Sequence, residues 1–248
     1  MREIDWYKVG ILVVIGLNCL SALQAWPQNT GIKANGANSL PPNSSAFAAG
    51  GTLTESGIQP KAVKVYWKAV RELHQGNAAS AEKDASRALQ IDKTFADAAA
   101  LEATAALAQQ QFDRARTEAA RATEIDVSDE KAWVILATAD NHLSKYGEAA
   151  AALRHVRPQE QGTWQVAYQW ARAEAGLQNL QQCLEWANRA ALSAPSDFAP
   201  LHLLRASVLQ AAGEFARAAD QLEIYLQLPG VSPSQRALLT QQLHQLRK

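Results

Sequence analysis

The sequence predicts an all-α fold: a solenoid of about five helical hairpins closed by a C-terminal capping helix, after one transmembrane helix and a flexible linker. Three observations predict the helical part. Residue columns recur every 34 positions, Gly and Pro fall at intervals between apolar stretches, and no long alternating run of strand type is present. Frequent alanine with spaced helix breakers is typical of helices. The pattern therefore indicates stacked helix pairs.

The charges of the chain are balanced. The 248 residues include 24 Lys and Arg and 24 Asp and Glu, so the net charge is zero. A chain without a net field has no general attraction for nucleic acid, which disfavours a nucleic-acid partner. The two cysteines, Cys19 and Cys183, lie far apart, and no Cys/His spacing matches a zinc site. A disulfide framework is therefore excluded.

A short N-terminal segment, 1–8, precedes an uncharged stretch, 9–26, that we predict to be a transmembrane helix. A helix from Trp6 to Trp26 would span roughly 30 Å, the thickness of the hydrocarbon core of a bilayer. Aromatic residues at both ends favour the membrane interfaces. A cleaved signal sequence is the alternative, because polar residues weaken the second half of the stretch and cleavage after Ala25 is conceivable.

Positive charges are more numerous before the predicted span than after it. Arg2, Lys8 and the N-terminal amine precede it, and only Lys33 follows closely. The positive-inside rule then places the N-terminus in the cytoplasm. We expect a single-pass protein of the inner (plasma) membrane with a periplasmic or otherwise extracytoplasmic repeat domain. Residues 27–60 are rich in Asn, Gly, Ser and Pro, which predicts a flexible linker.

An internal period of 34 residues organises the region 61–228. One extra residue near Phe198 shifts the fifth repeat, which resumes the pattern at Ala206. The repeats begin near Ala62, Ala96, Glu130, Trp164 and Ala199. The columns are Ala69, Ala103, Ala137 and Ala171; Ala81, Ala115, Ala149 and Cys183; Ala85, Ala119, Leu153 and Ala187; Ala88, Ala122, Val156 and Ala190; and the larger Ala78, Phe112, Tyr146 and Leu180.

Each repeat contains two helical stretches with a break between them. In the first repeat these are 64–75 and 79–91, separated by Gly76-Asn77. Two antiparallel helices approach closely only where a small side chain lies at their crossing, which accounts for the alanine columns. One pair cannot bury its apolar face alone, so the pairs stack and share a continuous core.

This pattern resembles the tetratricopeptide repeat. That family has a small residue in its first helix, a turn glycine followed by an aromatic residue, an alanine early in its second helix and a closing proline. The resemblance covers roughly residues 62–228. The third repeat matches through Trp133, Leu136, Ala137, Tyr146 and Ala149, and the fifth through Ala206, Gly213, Phe215 and Ala218.

Several positions depart from the family pattern. Gln110, Ser144 and Gln178 replace the turn glycine of their repeats. The closing proline is present directly only at Pro195, and Pro158 ends the third repeat early. These departures affect the boundaries of single repeats and leave the predicted fold unchanged.

The C-terminal region 229–248 is predicted to be a capping helix. Pro229-Gly230 breaks the preceding helix, and the stretch 234–246 is amphipathic. A stack of repeats needs a terminal element with a polar outer face, which this helix would supply.

The sequence carries none of the short catalytic or nucleotide-binding signatures. We therefore expect no enzyme activity, no catalytic residue, no cofactor and no metal. The five histidines are scattered, although His142 and His155 could meet across one hairpin. Asp92 and Asp126 recur because they end helices, so they are not interpreted as an acid/base pair.

The resemblance implies a binding surface, because tetratricopeptide repeats present the first helix of each repeat along a concave groove. The chaperone-tail binders of the family grip a terminal carboxylate with Lys, Asn and Arg; here Tyr66 and Val70 occupy such places and only Lys131 fits. A carboxylate clamp is therefore disfavoured. The predicted groove residues are Tyr66, Val70, Leu73, Thr104, Lys131, Thr138, Asn141, His142, Tyr168 and Arg172.

Together these features predict a membrane-anchored scaffold or adaptor for protein–protein interactions. It would bind peptides or partner helices in the groove, for the assembly of a cell-envelope complex. Two alternatives stay open: a structural protein that self-assembles into a homo-oligomer, and a soluble periplasmic protein released by signal cleavage.

Overall fold

The computed structural model describes residues 57–158 and 160–247. The predicted segments 1–8 and 9–26, and the linker up to residue 56, lie outside these residues. All regular structure in the described residues is helical, which confirms the all-α prediction for this part of the chain. None of the helices found there has both the length and the apolar character that a membrane crossing needs.

The chain divides into two compact units at residues 156 and 157, and we describe each by itself. In the N-terminal unit, consecutive helices form antiparallel pairs of the predicted kind, and the first helices of successive repeats also contact each other. The helices are α1 (Pro60–His74), α2 (Ala78–Ile91), α3 (Ala96–Ala108), α4 (Phe112–Ile125), α5 (Glu130–His142) and α6 (Tyr146–Leu153).

The C-terminal unit contains the last two repeats and one further helix. Its core joins Tyr168 and Ala171 to Cys183 of the next helix and to Leu204 and Val208 of the helix after that. The elements are a 3-10 turn (Glu160–Gly162), α7 (Trp164–Gly176), α8 (Leu180–Ala191), α9 (Ala199–Ala211), α10 (Phe215–Gln227) and α11 (Pro233–Leu246).

The alanine columns lie where helices touch. Ala69, Ala103 and Ala137 in the N-terminal unit are completely buried, and so is Ala171 in the C-terminal unit. A side chain no larger than a methyl group lets the two backbones come close at each crossing. Larger residues fill the neighbouring space, and the largest fully buried one is Phe95, whose ring lies 4.9 Å from that of Tyr66.

The ordered structure extends into the predicted linker. Ile58 is buried in the core of the N-terminal unit, and Pro60 begins α1, four residues before the predicted start. Proline is suited to the first helical position because the N–H it lacks would have no partner there. The backbone N–H of Gln59 donates to the carboxylate of Asp92 at 2.9 Å, which ties this segment to the end of α2.

Asp92 and Asp126 end α2 and α4, and each closes a short turn with its side chain. Asp92 accepts hydrogen bonds from the hydroxyl and the backbone N–H of Thr94, and Asp126 accepts the same pair from Ser128. These bonds favour the ionised carboxylate and lower the pKa of both residues. The repetition of Asp at these positions is thus explained by turn formation.

The hairpin turns share one geometry although their residues differ. The residue after each helix C-cap has a positive φ: 83° at Gly76, 79° at Gly213, 60° at Gln110 and Ser144, and 63° at Gln178. In all five turns the backbone N–H groups of this residue and of the one after it donate to carbonyls in the last turn of the preceding helix, as in a Schellman motif. The three replacements of glycine therefore adopt the left-handed conformation despite their side chains.

The last helix, α11, begins with a capping box between Ser232 and Gln235. Its Leu239 and Leu243 pack against Leu222 and Tyr225 of α10. Arg247, directly after the helix, forms ion pairs with Asp220 at 2.9 Å and Glu223 at 2.8 Å. The apolar side of α11 thus covers the last hairpin.

We expect Gln178→Gly to raise the free energy of unfolding by about 0.5–1 kcal/mol. A left-handed φ costs a residue with a side chain about 1–2 kcal/mol, and the greater freedom of Gly in the unfolded chain removes about half of that gain. The matched reverse variant is Gly213→Gln in the same unit, which should lower the free energy of unfolding by a similar amount. Urea unfolding followed by circular dichroism measures both, and a loss for Gln178→Gly would contradict this account.

Candidate partner-binding surface

The first helices of the three N-terminal repeats, α1, α3 and α5, each keep one face only partly covered. On α1 this face carries Tyr66, Val70 and Leu73, which are half-buried, whereas Ala62 and Ala69, on the adjoining side of the helix, are fully buried. The spacing of three and four residues places the three side chains on one stripe of the helix. We call the partly covered stripes of α1, α3 and α5 the open face of the N-terminal unit.

Side-chain size varies across the open face. The middle helix, α3, contributes the half-buried Leu101 and Thr104, and the hydroxyl of Thr104 donates to the carbonyl of Ala100 at 2.8 Å. Its neighbours contribute Tyr66 and Val70 from α1 and Val134 from α5, all half-buried. Apolar side chains of three helices therefore share the open face, and Thr104 is the smallest residue among them. This arrangement suits an apolar segment lying along α3.

Polar groups lie at the N-terminal end of the open face. Burial raises the pKa of Tyr66, and the negative charges of Asp97 and Asp129 raise it further. Burial likewise raises the pKa of Asp97; Asp129 and Asp126 add to the rise, and Lys131 opposes it. The open face is therefore mainly apolar along its length, with a phenol, two carboxylates and an ammonium group at one end.

The predicted site residues of the N-terminal unit differ in accessibility. Tyr66, Val70, Leu73 and Thr104 are half-buried, and Lys131 is exposed. Three residues of α5 are more enclosed. The hydroxyl of Thr138 donates to the carbonyl of Val134, Asn141 is completely buried, and the ring of His142 stacks on Phe112 at 4.3 Å. A binding role for these eight residues stays a prediction.

The other two predicted site residues, Tyr168 and Arg172, lie on α7 of the C-terminal unit and are buried. The ring of Tyr168 meets that of Phe198 edge-on at 5.0 Å. The guanidinium carbon of Arg172 lies 5.9 Å from the centre of the Tyr168 ring, and its Nη1 donates to Gln169 at 3.4 Å. Packing within the unit accounts for these contacts, and their role in binding also stays a prediction.

The histidines do not form the pair that the hairpin allowed. His142 stacks on Phe112, whereas His155 stacks on Trp133 with ring centres 3.7 Å apart. Among the residues that the structure describes, no group of three or more His, Cys, Asp or Glu side chains could hold a metal ion. The stacking of His155 on Trp133 is a packing contact.

An ion-pair cluster that the sequence did not predict links α2, α3 and α4. Arg114 on α4 reaches Glu82 at 2.5 Å and Glu102 at 3.1 Å, and both carboxylates are more than nine-tenths buried. Burial raises the pKa of Glu102, and the hydrogen bond from Arg114 opposes the rise. A second pair joins Arg116 to the buried Asp140 at 2.6 Å. The partners are 12 to 32 positions apart, so only the packing of the repeats reveals them.

No protein-family model matches this chain, and no curated protein matches it. Solved structures do. The crystal structure of PilW, a widely conserved type IV pilus biogenesis factor, matches with a TM-score of 0.65 and 14% identity, over 76% of this chain and 87% of that one. PilF of Pseudomonas aeruginosa matches with a TM-score of 0.62 and 19% identity, over 75% and 84% of the two chains.

A third match is a thermophilic tetratricopeptide-repeat protein of Thermus thermophilus, with a TM-score of 0.57 and 14% identity, over 74% of this chain and 99% of that one. Identities this low show the fold alone. The chain has the tetratricopeptide-repeat fold, as the sequence pattern predicted.

We expect Asp97→Asn to stabilise the protein more at neutral than at acidic pH. The folded-state pKa of Asp97 is raised above its ordinary value of 3.8, so the protonated carboxyl favours folding. That contribution is present below the ordinary pKa and is lost as the pH rises through the raised one. The variant has no such loss, so its advantage over the original chain should grow with pH.

Urea unfolding at a series of pH values from about 4 to 8 measures this difference. Asp113→Asn is the control, because Asp113 is exposed and also lies in the first turn of its helix, α4. An advantage for Asp97→Asn that stays flat with pH, or that equals the effect of Asp113→Asn, would refute the electrostatic explanation.

Proposed function

We propose that this chain is a membrane-anchored scaffold whose open face binds a peptide or helix of a partner protein. The observation that supports this most directly is the run of half-buried apolar side chains on α1, α3 and α5, including Tyr66, Val70 and Val134. Covering apolar surface contributes about 25 cal/mol per Å². Aromatic and branched side chains that are already held by their neighbours lose little freedom when they bind.

The arrangement of the open face favours a narrow ligand. Half-buried apolar side chains lie on three successive first helices, Val70 on α1, Leu101 on α3 and Val134 on α5. An extended peptide or one amphipathic helix fits a surface of this kind. The carboxylate of Asp97 and the ammonium group of Lys131 at one end supply polar contacts that would orient the ligand. The open face would bind its ligand without catalysing a reaction.

Placement in the cell envelope is supported by the sequence and by one comparison. The uncharged stretch 9–26 has aromatic residues at both ends, and a linker follows it. PilW, one of the similar structures, is a type IV pilus biogenesis factor. We therefore propose a single-pass protein of the inner membrane with its repeats in the periplasm, where it assists the assembly of an envelope complex.

Thr104→Trp is expected to abolish partner binding, because an indole at this position of the open face would obstruct a ligand lying along α3. Thr117→Trp is the matched control: Thr117 is exposed on α4, and its hydroxyl donates to the carbonyl four residues earlier at 3.0 Å, as that of Thr104 does at 2.8 Å. Full-length tagged chains are cross-linked in the native host, and the proteins recovered with each are compared by mass spectrometry.

A partner recovered with the original chain and with Thr117→Trp, but lost with Thr104→Trp, would support binding at the open face. If Thr104→Trp recovers the same partners while both variants keep the circular dichroism spectrum of the original chain, the open face is not the binding surface.

A reporter that is active only outside the cytoplasm tests the orientation. Fused after Lys248, it should be active, because the positive charges of Arg2 and Lys8 hold the N-terminus inside. Replacing both with Glu should lower the activity several-fold, and replacing Lys61 and Lys64, beyond the linker, should not. An inactive reporter on the original chain would overturn the proposed topology.

A further inference from the structure

The second repeat shows how these hairpins can hold a carboxylate between their two helices. Glu102, directly before the column alanine Ala103 on α3, accepts a hydrogen bond from Arg114, directly before the column alanine Ala115 on α4. The distance is 3.1 Å, and Glu102 has only 3% of its surface exposed. The charge of the buried carboxylate is thus matched by the guanidinium of the facing helix.

The fifth repeat has a different pair at the same two positions. Arg205 directly precedes the column alanine Ala206 on α9, and Arg217 directly precedes Ala218 on α10. The place that holds a carboxylate in the second repeat is therefore taken by a second guanidinium. Burial lowers the pKa of Arg205, and the positive charge of Arg217 lowers it further.

The described residues supply little negative charge to this pair. Arg205 donates from Nη2 to the amide oxygen of Asn188 on α8 at 3.2 Å, and no carboxylate within residues 57–158 and 160–247 forms an ion pair with it. Glu214, the residue that precedes α10, pairs with Nη1 of Arg217 in the first turn of that helix. An arginine has five N–H donors, and the amide nitrogen of Asn188 is a further donor.

A half-buried guanidinium with a neutral partner and a cationic neighbour is costly, because it loses hydration without gaining an opposite charge. An added carboxylate would relieve this cost in the way that Glu102 does in the second repeat. Arg189, the next residue after Asn188, lies over the ring of Trp186 at 4.8 Å and places a positive charge on α8.

We propose that Arg205, Arg217 and Asn188 form a binding site for the carboxylate of a Glu or Asp side chain on an acidic segment of a partner protein. The pairing of Glu102 with Arg114 in the second repeat shows that a carboxylate can neutralise a guanidinium at this level of a hairpin. The inference rests on the proposed function only in that the ligand belongs to a protein. Its residues lie outside the open face of the N-terminal unit, so the two proposals can fail separately.

The test is calorimetric titration of the full-length chain, at low ionic strength, with a blocked peptide of alternating Glu and Ala. The same peptide with Gln in place of Glu, and inorganic phosphate, are titrated in parallel. We expect saturable binding of the Glu peptide, at least roughly tenfold weaker binding by Arg205→Glu and Arg205→Gln, and unchanged binding by Arg87→Glu. Arg87 is an exposed arginine of the N-terminal unit, so this control makes the same change of charge elsewhere.

Arg205→Glu also recreates the Glu–Arg pair of the second repeat within the chain, so it should raise the melting temperature, which Arg87→Glu should not do. If Arg205→Glu does not fold, Arg205→Gln alone decides the binding test. The proposal is overturned if the Gln peptide binds as well as the Glu peptide, or if Arg87→Glu weakens binding as much as Arg205→Glu. Binding of phosphate without binding of the Glu peptide would also overturn it.

Discussion

At Ala69, Ala103 and Ala137, the first helix of a repeat lies against its neighbours with nothing larger than a methyl group between them. This close approach is the constraint on which the other features depend. A larger side chain would hold the helices apart and disturb the packing around Phe95 and the other enclosed residues. Because the two helices of each repeat cross at the same place, the chain passes from the first helix to the second through the same type of turn in every repeat. The strained φ at Gln110, Ser144 and Gln178 shows that the crossing prevails over the preference of the turn residue.

The same packing creates the open face. The first helix of a repeat packs one side against its own second helix and other sides against the neighbouring repeats. A stripe of its surface stays partly uncovered, and in the N-terminal unit that stripe is largely apolar. Tyr66 is held against Phe95 at 4.9 Å and next to Trp67 at 5.4 Å, so it is already fixed in place. Ordered apolar side chains of this kind are well suited to recognition. The open face is therefore a consequence of how the repeats stack.

Charges at equivalent positions vary while the backbone around them recurs from repeat to repeat. The residue before the column alanine of the first helix is Lys68 in the first repeat, Glu102 in the second and Arg205 in the fifth. Lys68 pairs with Asp84 at 2.8 Å and Glu102 with Arg114, whereas Arg205 faces another arginine. Equivalent positions of the repeats can therefore be compared with each other. An ion pair that is complete in one repeat indicates which charged group of a partner could complete the pair in another.

The sequence by itself determined the class of fold, the length of the repeat and the positions of the helix crossings, because small residues at a fixed period reflect helix packing directly. It also indicated which stripes of α1 and α3 stay accessible, through Tyr66, Val70 and Thr104. Only the tertiary structure decided the burial of Asn141, the stacking of His142 on Phe112 and the pairing of Glu82 and Glu102 with Arg114. These depend on the distance and rotation between helices that are far apart in the chain, and a periodic pattern along the sequence does not contain that information.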